Sequence, residues 1–429
     1  MSSKGKLSTA TGGRSALVPK LRFPEFREAA AWVPVSLRRA TVPVDERVGK
    51  RKLTPVSISA GIGFVPQVEK FGRDISGNQY QLYTLVRDGD FVFNKGNSLK
   101  FPQGCIYLLH GWGEVAAPNV FIAFRLRDGY SNGFFQNCFE QNQHGKQLKK
   151  HITSGARSNG LLNISKDTFF GIEIALPPLL EQQKIADCLG SVDTLIAAQE
   201  RKVEAFKAHK KGLMQQLFPQ EGETQPRLRF PEFEGAGEWE EESIGNFGPV
   251  VTGSTPSTTE PTFYGGGIPF VSPADISGLR YIEETKTTLT EAGFKETRPI
   301  RAGSILFVCI GSTIGKVAQN VRDCATNQQI NAVIPNTKHS DGFVYFALSN
   351  ASARIALFAG RQAVPIINKS LFSSVRLLVP CLLEQQRIAD CLSSLDDLIA
   401  AESQKLDTLK THKKGLMQQL FPQVREDEA

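Results

Sequence analysis

Several features are missing from this sequence, and each absence narrows its function. No stretch approaches the roughly 18 apolar residues of a membrane span, and Met1 to Ala10, MSSKGKLSTA, lacks the apolar core of a secretory signal. A cytoplasmic protein with no membrane partner is therefore expected. The seven cysteines form no CxxC pair and the six histidines no metal-ligand spacing, so reduced, buried thiols and no metal are expected. The only Pro-Pro lies in Leu176-Pro177-Pro178-Leu179, a helix lead-in, so no [DN]PP[YF] motif for adenine methylation is present. Gly311-Ser312-Thr313-Ile314-Gly315-Lys316-Val317 has three residues between its glycines, where a phosphate loop needs four, and no hydroxyl after the lysine. Asp275 followed by Glu284-Thr285-Lys286 imitates a nuclease's acidic set but reads better as a solvated turn. No catalytic constellation and no cofactor site in this chain remain.

What is present is a soluble globular composition over 429 residues, 41% hydrophobic and 22% charged, enough for two or three cored units. The net charge of +7 favours an acidic partner such as nucleic acid. The main signal is a tandem repeat. Leu179 to Gln220 and Leu382 to Gln423 match at 30 of 42 positions, from LLEQQ to HKKGLMQQLFPQ. A second repeated element, LRFPEF, occupies Leu21 to Phe26 and Leu228 to Phe233, each followed six residues later by a tryptophan, Trp32 and Trp239.

The longer element is helical. Ile185, Leu189, Val192, Ile196, Val203, Phe206, Leu213 and Leu217 step by fours and threes, and Gln199 and Lys210 fill the gaps. Ile388, Leu392, Leu395, Ile399, Leu406, Leu409, Leu416 and Leu420 repeat the series, with Glu402 and Lys413 in the gaps. This is a heptad seam with matched polar breaks, bounded by Pro177, Pro178 and Pro219 in one copy and Pro380 and Pro422 in the other. Each helix would run about 55 Å. Exposed residues recur as well, including Lys207, His209 and Lys211, as expected if one kind of partner is bound twice.

Between the repeats lie regions rich in Gly, Pro, Thr and short β-like runs, such as Asp90 to Asn94, Val120 to Arg125, Ser304 to Ile310 and Ile330 to Ile334. An α+β fold follows, with the order tail 1–19, module 20–175, helix 176–220, module 221–379, helix 380–423 and acidic tail 424–429. One frame carrying two unlike modules suits recognition of two different things at a fixed separation.

The duplicated LLEQQKIADCL…HKKGLMQQLFP helix, the LRFPEF…W lead-in, and Gly253 to Ile276 with the later Ala325-Thr326-Asn327-Gln328 resemble the specificity subunits of type I restriction-modification systems. The resemblance implies two target-recognition domains, each reading half of a bipartite, asymmetric double-stranded DNA site. It also implies two long helices paired as an antiparallel coiled coil with pseudo-twofold symmetry, setting the spacer and docking two modification subunits. Adenine methylation with S-adenosylmethionine, and ATP- and Mg-dependent translocation and cleavage by restriction subunits, would belong to those partners in a prokaryotic cytoplasm. An interaction scaffold, or a DNA-binding regulator without modification partners, is the alternative.

For DNA contact the first module offers Gln141 to Asn159, with Lys146, Lys149, Lys150, His151 and Arg157 among Gly, Ser, Asn and Gln, and also Lys95, Asn97 and Lys100. The second offers Thr255 and Ser257 of the GSTPS run, Tyr264, Lys316, Arg361 and Gln362. Arg157 and Arg361 are the first choices, because each follows a glycine shortly before a return strand.

Overall fold

The apolar runs between turn residues form short strands, and the heptad segments form two long helices. The computed structural model describes residues 17–96, 101–152, 162–360 and 364–422. Contacts divide the chain into two compact units, Met1–Ala198 with Leu406–Ala429, and Gln199–Lys405. The two helices, Leu179–Leu217 and Leu382–Leu420, each contribute a stretch to both units.

In the first unit a four-stranded antiparallel sheet has the order Thr41–Pro43, Ile122–Leu126, Asp90–Asn94, Cys105–Leu108. Asp90–Asn94 is the DFVFN run, and all five residues are buried, as a central strand covered on both faces requires. Its one charge, Asp90, is bound by Arg125 at 2.6 and 3.0 Å. A second sheet orders Gly63–Pro66, Thr54–Ser59, Glu114–Ala117 and Thr84–Arg87. Val33–Ser36 pairs antiparallel with Glu173–Leu176, so the module's two ends meet.

The second unit repeats this frame. Val250–Thr252, Ile330–Val333, Ile305–Val308 and Val317–Asn320 pair in the same antiparallel order, and Tyr281–Ile282 is added in parallel at the edge. Glu240–Ser243 pairs with Arg376–Val379 to close the module. The second sheets correspond as well: Thr54–Ser59 pairs antiparallel with Gly63–Pro66 and parallel with Glu114–Ala117, as Tyr264–Val271 pairs antiparallel with Thr287–Leu289 and parallel with Ala325–Thr326, and only Thr84–Arg87 has no counterpart there. The mixed α/β fold expected from the sequence is therefore present, with one central sheet order used twice.

The repeated sequence elements turn out to be one local assembly. Arg22 of the first LRFPEF binds Glu181 of LLEQQ through two bonds of 2.7 Å, and Arg229 binds Glu384 at 2.8 and 2.7 Å. Gln182 donates to the Pro177 carbonyl and accepts from the Ser131 amide, while Gln385 does the same with Pro380 and Ser340. Ser131 and Ser340 cap the helices Asn132–Glu140 and Asp341–Ala356. These helices lie so close to the long ones that a Cβ on Gly133 would stand 3.0 Å from the Ala186 methyl, and one on Gly342 3.0 Å from Ala389.

The same unit-by-unit symmetry governs the cores. Ile185, Leu189, Leu420 and Phe421 enter the first core, and Leu217, Phe218, Ile388 and Leu392 the second. Phe421 packs edge-on against Trp32 at 6.0 Å, and Phe218 against Trp239 at 6.0 Å. Leu21 donates its amide to Gln419, as Leu228 does to Gln216. Every residue of both predicted seams is buried or half-buried.

The seven cysteines are free, but only four are buried; Cys381 is exposed at the turn before the second long helix, where no core reaches it. Among the described residues no helix is long and apolar enough to cross a membrane, and no His/Cys/Asp/Glu group could hold a metal ion.

Candidate nucleic-acid interface

Strand register gathers each module's variable loops at one end of its central sheet. In the first unit Asn94 pairs with Cys105, Phe93 with Ile122 and Pro43 with Phe124, so the segments after 43, after 94 and before 122 leave together. The Leu162 amide returns there to the Lys95 carbonyl at 2.8 Å. In the second unit Val308 pairs with Ile330, Phe307 with Val317 and Thr252 with Asn331, which puts the loops 253–263, 309–316 and 327–329 at the equivalent end. Ile367 returns to Cys309 there, and Gly311 donates to Pro365. Loops carried by a rigid sheet are where recognition groups are commonly held.

In the second unit this end is dominated by hydroxyls and amides. Thr255 Oγ1 donates to Gln328 Oε1 at 2.7 Å, fixing an exposed amide. Ser257 is exposed beside Thr259, and the Tyr264 hydroxyl donates to the Pro256 carbonyl at 2.8 Å, bracing the GSTPS turn. Asn327 and Gln329 bond each other. Two buried hydroxyl oxygens beside them, Ser254 Oγ and Thr326 Oγ1, have no protein partner.

Lys316, expected from the sequence as a DNA contact, is half-buried and bonded within its module. Its ammonium donates to the carbonyls of Ile276 at 2.8 Å and Pro273 at 3.2 Å, bracing one loop against another. The Gly311–Val317 segment is a turn between strands, with Gly311 and Gly315 at φ of 95° and 94°. Asp275 is likewise structural. Burial pushes its carboxyl up, but the amides of Lys286 and Ser272 and the Ser272 hydroxyl outweigh that and hold it below the usual range.

In the first unit Lys146 is exposed on the helix Gln143–Leu148, and Lys149 and Lys150 are exposed on the turn Lys149–His151. Lys95 is half-buried at the end of the Asp90–Asn94 strand. Arg157, Arg361, Gln362, Asn97 and Lys100 lie outside the described residues. A group not singled out from the sequence stands in the loop after Thr41–Pro43: Arg47, Lys50, Arg51 and Lys52, all exposed. Arg47 donates to the Leu82 carbonyl, and Arg51 shares Glu46 with Arg87. Hydrogen bonds from Arg87 and then Arg51 hold the Glu46 carboxyl down at about 2. The run RVGKRK was visible but looks like any solvated charge cluster; only its position in the sheet distinguishes it.

The heptad breaks are paired within each unit. Lys413 reaches Asp193 at 2.7 Å and Glu140 at 3.0 Å in the first. In the second, Lys210 bonds Asp396 at 2.5 Å and lies over the Phe346 ring, while Gln199 donates to the Glu402 carbonyl and carboxylate. Leu180 and Leu383, at equivalent repeat positions, are 70% and 69% exposed, so each unit presents the same uncovered leucine.

Against this geometry the comparisons with known proteins are consistent. The profile of a family described as Type I restriction modification DNA specificity domain matches residues 113–207 and 236–411. The type I restriction enzyme HindI specificity subunit of Haemophilus influenzae is 32% identical over 147 residues, 33% of this chain and 32% of that protein. The putative type I restriction enzyme MjaX specificity subunit of Methanocaldococcus jannaschii is 25% identical over 362 residues, 81% of each. The crystal structure of the type I restriction-modification S subunit from M. genitalium shares the fold, with TM-score 0.58 and 14% identity over 95% of this chain and 100% of that one. The chain therefore belongs to the family of type I restriction-modification DNA specificity proteins.

Proposed function

We propose that this chain is the non-catalytic, DNA-reading subunit of a type I restriction-modification complex, each module reading one half of a bipartite, asymmetric site in double-stranded DNA. The observation that carries this reading is one central sheet order used twice with unlike loops at the same end. The domains run 20–175 and 221–379, and the helices of 176–220 and 380–423 pair as an antiparallel coiled coil with pseudo-twofold symmetry. Lys413–Asp193 and Lys210–Asp396 support that pairing, because each is the repeat equivalent of the other, the reciprocity of a self-complementary interface. The duplicated outer face, with Leu180, Lys207, His209 and their counterparts, docks two modification subunits, and restriction subunits join the full complex. Those partners bring S-adenosylmethionine, ATP and Mg; this chain supplies address and spacing.

Three measurements test the reading. Sequencing of methylated genomic DNA should return a split motif that disappears when this gene is deleted, and the chain should copurify with a DNA methyltransferase. A methylation pattern unchanged by the deletion overturns it. Lengthening both helices by one heptad should change the unread spacer while keeping both half-sites.

A further inference from the structure

The two modules differ in net charge, and one topologically equivalent loop shows the difference in exposed side chains. Residues 20–175 carry 21 Lys and Arg against 13 Asp and Glu, whereas residues 221–379 carry 14 against 16. The first edge strand, Thr41–Pro43, pairs with Ile122–Leu126 as Val250–Thr252 pairs with Ile330–Val333. Immediately after it Val44 donates to Ala123, as Gly253 donates to Ile330. In the first module the chain then continues as Asp45-Glu46-Arg47-Val48-Gly49-Lys50-Arg51-Lys52; in the second it continues as Ser254-Thr255-Pro256-Ser257-Thr258-Thr259. The first stretch has four cations against two acids, and the second is uncharged, with hydroxyls on five of its six residues.

Four of the second module's cations are bonded to its own backbone. Arg298 donates to Thr252, Arg322 to Glu283, Lys316 to Ile276 and Arg354 to Arg376, all at backbone carbonyls. Lys50 and Lys52 are exposed, and Lys52 borders an open concavity lined by Asp74, Ser76 and Tyr80.

We infer that the topologically equivalent loop serves different ends in the two modules, each of which reads its own half-site: in the first it grips DNA phosphates through Lys50 and Lys52, and in the second it orients an uncharged base-reading group, Gln328, held by Thr255. This rests on the DNA-reading function proposed above. Point charges attract phosphates without regard to sequence and release counterions, whereas a side-chain amide can bond adenine through both its oxygen and its nitrogen.

The test measures binding of the chain, assembled with its modification subunits, to a duplex carrying the mapped site and to a scrambled duplex across a salt series. For K50Q/K52Q the slope of log affinity against log salt should become shallower by about 1.8, with weaker binding to both duplexes and unchanged site preference. K338Q/K369Q removes two exposed lysines from the second module and should leave the slope as it was. Q328A should reduce preference for the site about tenfold at unchanged slope. Matched melting temperatures establish that each variant is folded. An unchanged slope in K50Q/K52Q, an equal loss of slope in K338Q/K369Q, or retained site preference in Q328A overturns the inference. Failure of the unmodified complex to prefer its mapped site overturns instead the function on which it rests.

Discussion

Arg22 and Glu181 close on each other across 159 residues of sequence, in a buried, bidentate pair of 2.7 Å bonds. Trp32 Nε1 adds a third bond to the same carboxylate at 3.3 Å. Because the pair is desolvated, removing one partner strands the other. Arg22→Met should therefore destabilise the first unit by about 3–5 kcal/mol, and Arg229→Met should do the same to the second through Glu384. Chemical unfolding of the full chain checks this, and Arg22→Met with Glu181→Met should recover much of the loss.

These two pairs also show what the sequence could and could not disclose. The duplication announced that LRFPEF…W and LLEQQ matter, and the heptad series placed all sixteen seam residues in buried or half-buried positions. Periodicity cannot reveal that the arginine of one element meets the glutamate of the other, because that contact depends on the antiparallel closure of Val33–Ser36 on Glu173–Leu176. The interface was harder to read. Lys316 sits in a glycine-rich turn whose sequence does not disclose its bonds to the Pro273 and Ile276 carbonyls, whereas Lys50 and Lys52 look unremarkable until their loop is matched to GSTPS. Local composition cannot encode that topological equivalence.

Close approach of helices makes a second prediction. Gly133 faces Ala186, and Gly342 faces Ala389, with room for no further methyl at ordinary contact distance. Gly133→Val should force the capped helix away from the long one and cost about 1–3 kcal/mol by overpacking. Pairing it with Ala186→Gly should restore part of that stability in thermal unfolding, whereas Ala186→Gly alone should be mildly destabilising through its helix propensity. Additive losses in the double variant would contradict the contact.

Acid should weaken the first unit through His144. Burial among Phe93, Phe139 and the neighbouring strand pushes its imidazole down to about 4, from an ordinary value near 6.5. The unfolded chain then takes up a proton at a pH where the folded chain does not. Stability is complete above about pH 6.5 and falls as pH drops toward 4, by up to about 3 kcal/mol. Urea unfolding between these limits should show the decline, and His144→Leu should flatten that part of the profile.

The polar breaks in the helical seam allow the pairing itself to be tested. Lys210 and Asp396 form one ion pair, and the second oxygen of Asp396 is buried without a partner, so the site depends on the lysine's charge. Lys210→Asp would place two carboxylates together, and like charges at that separation repel strongly in a partly buried site. We expect a clear loss of stability in the second unit, and a loss from Asp396→Lys alone as well, because it would set a second ammonium beside Lys210, which shares the Phe346 ring with Arg280. The exchange Lys210→Asp with Asp396→Lys restores opposite signs and should recover most of the loss in unfolding measurements. If the two helices did not pair in this register, the double variant would be at least as unstable as the sum of the single ones. The same exchange at Lys413 and Asp193 should recover less, because Glu140 also binds that lysine and would be left beside a new carboxylate.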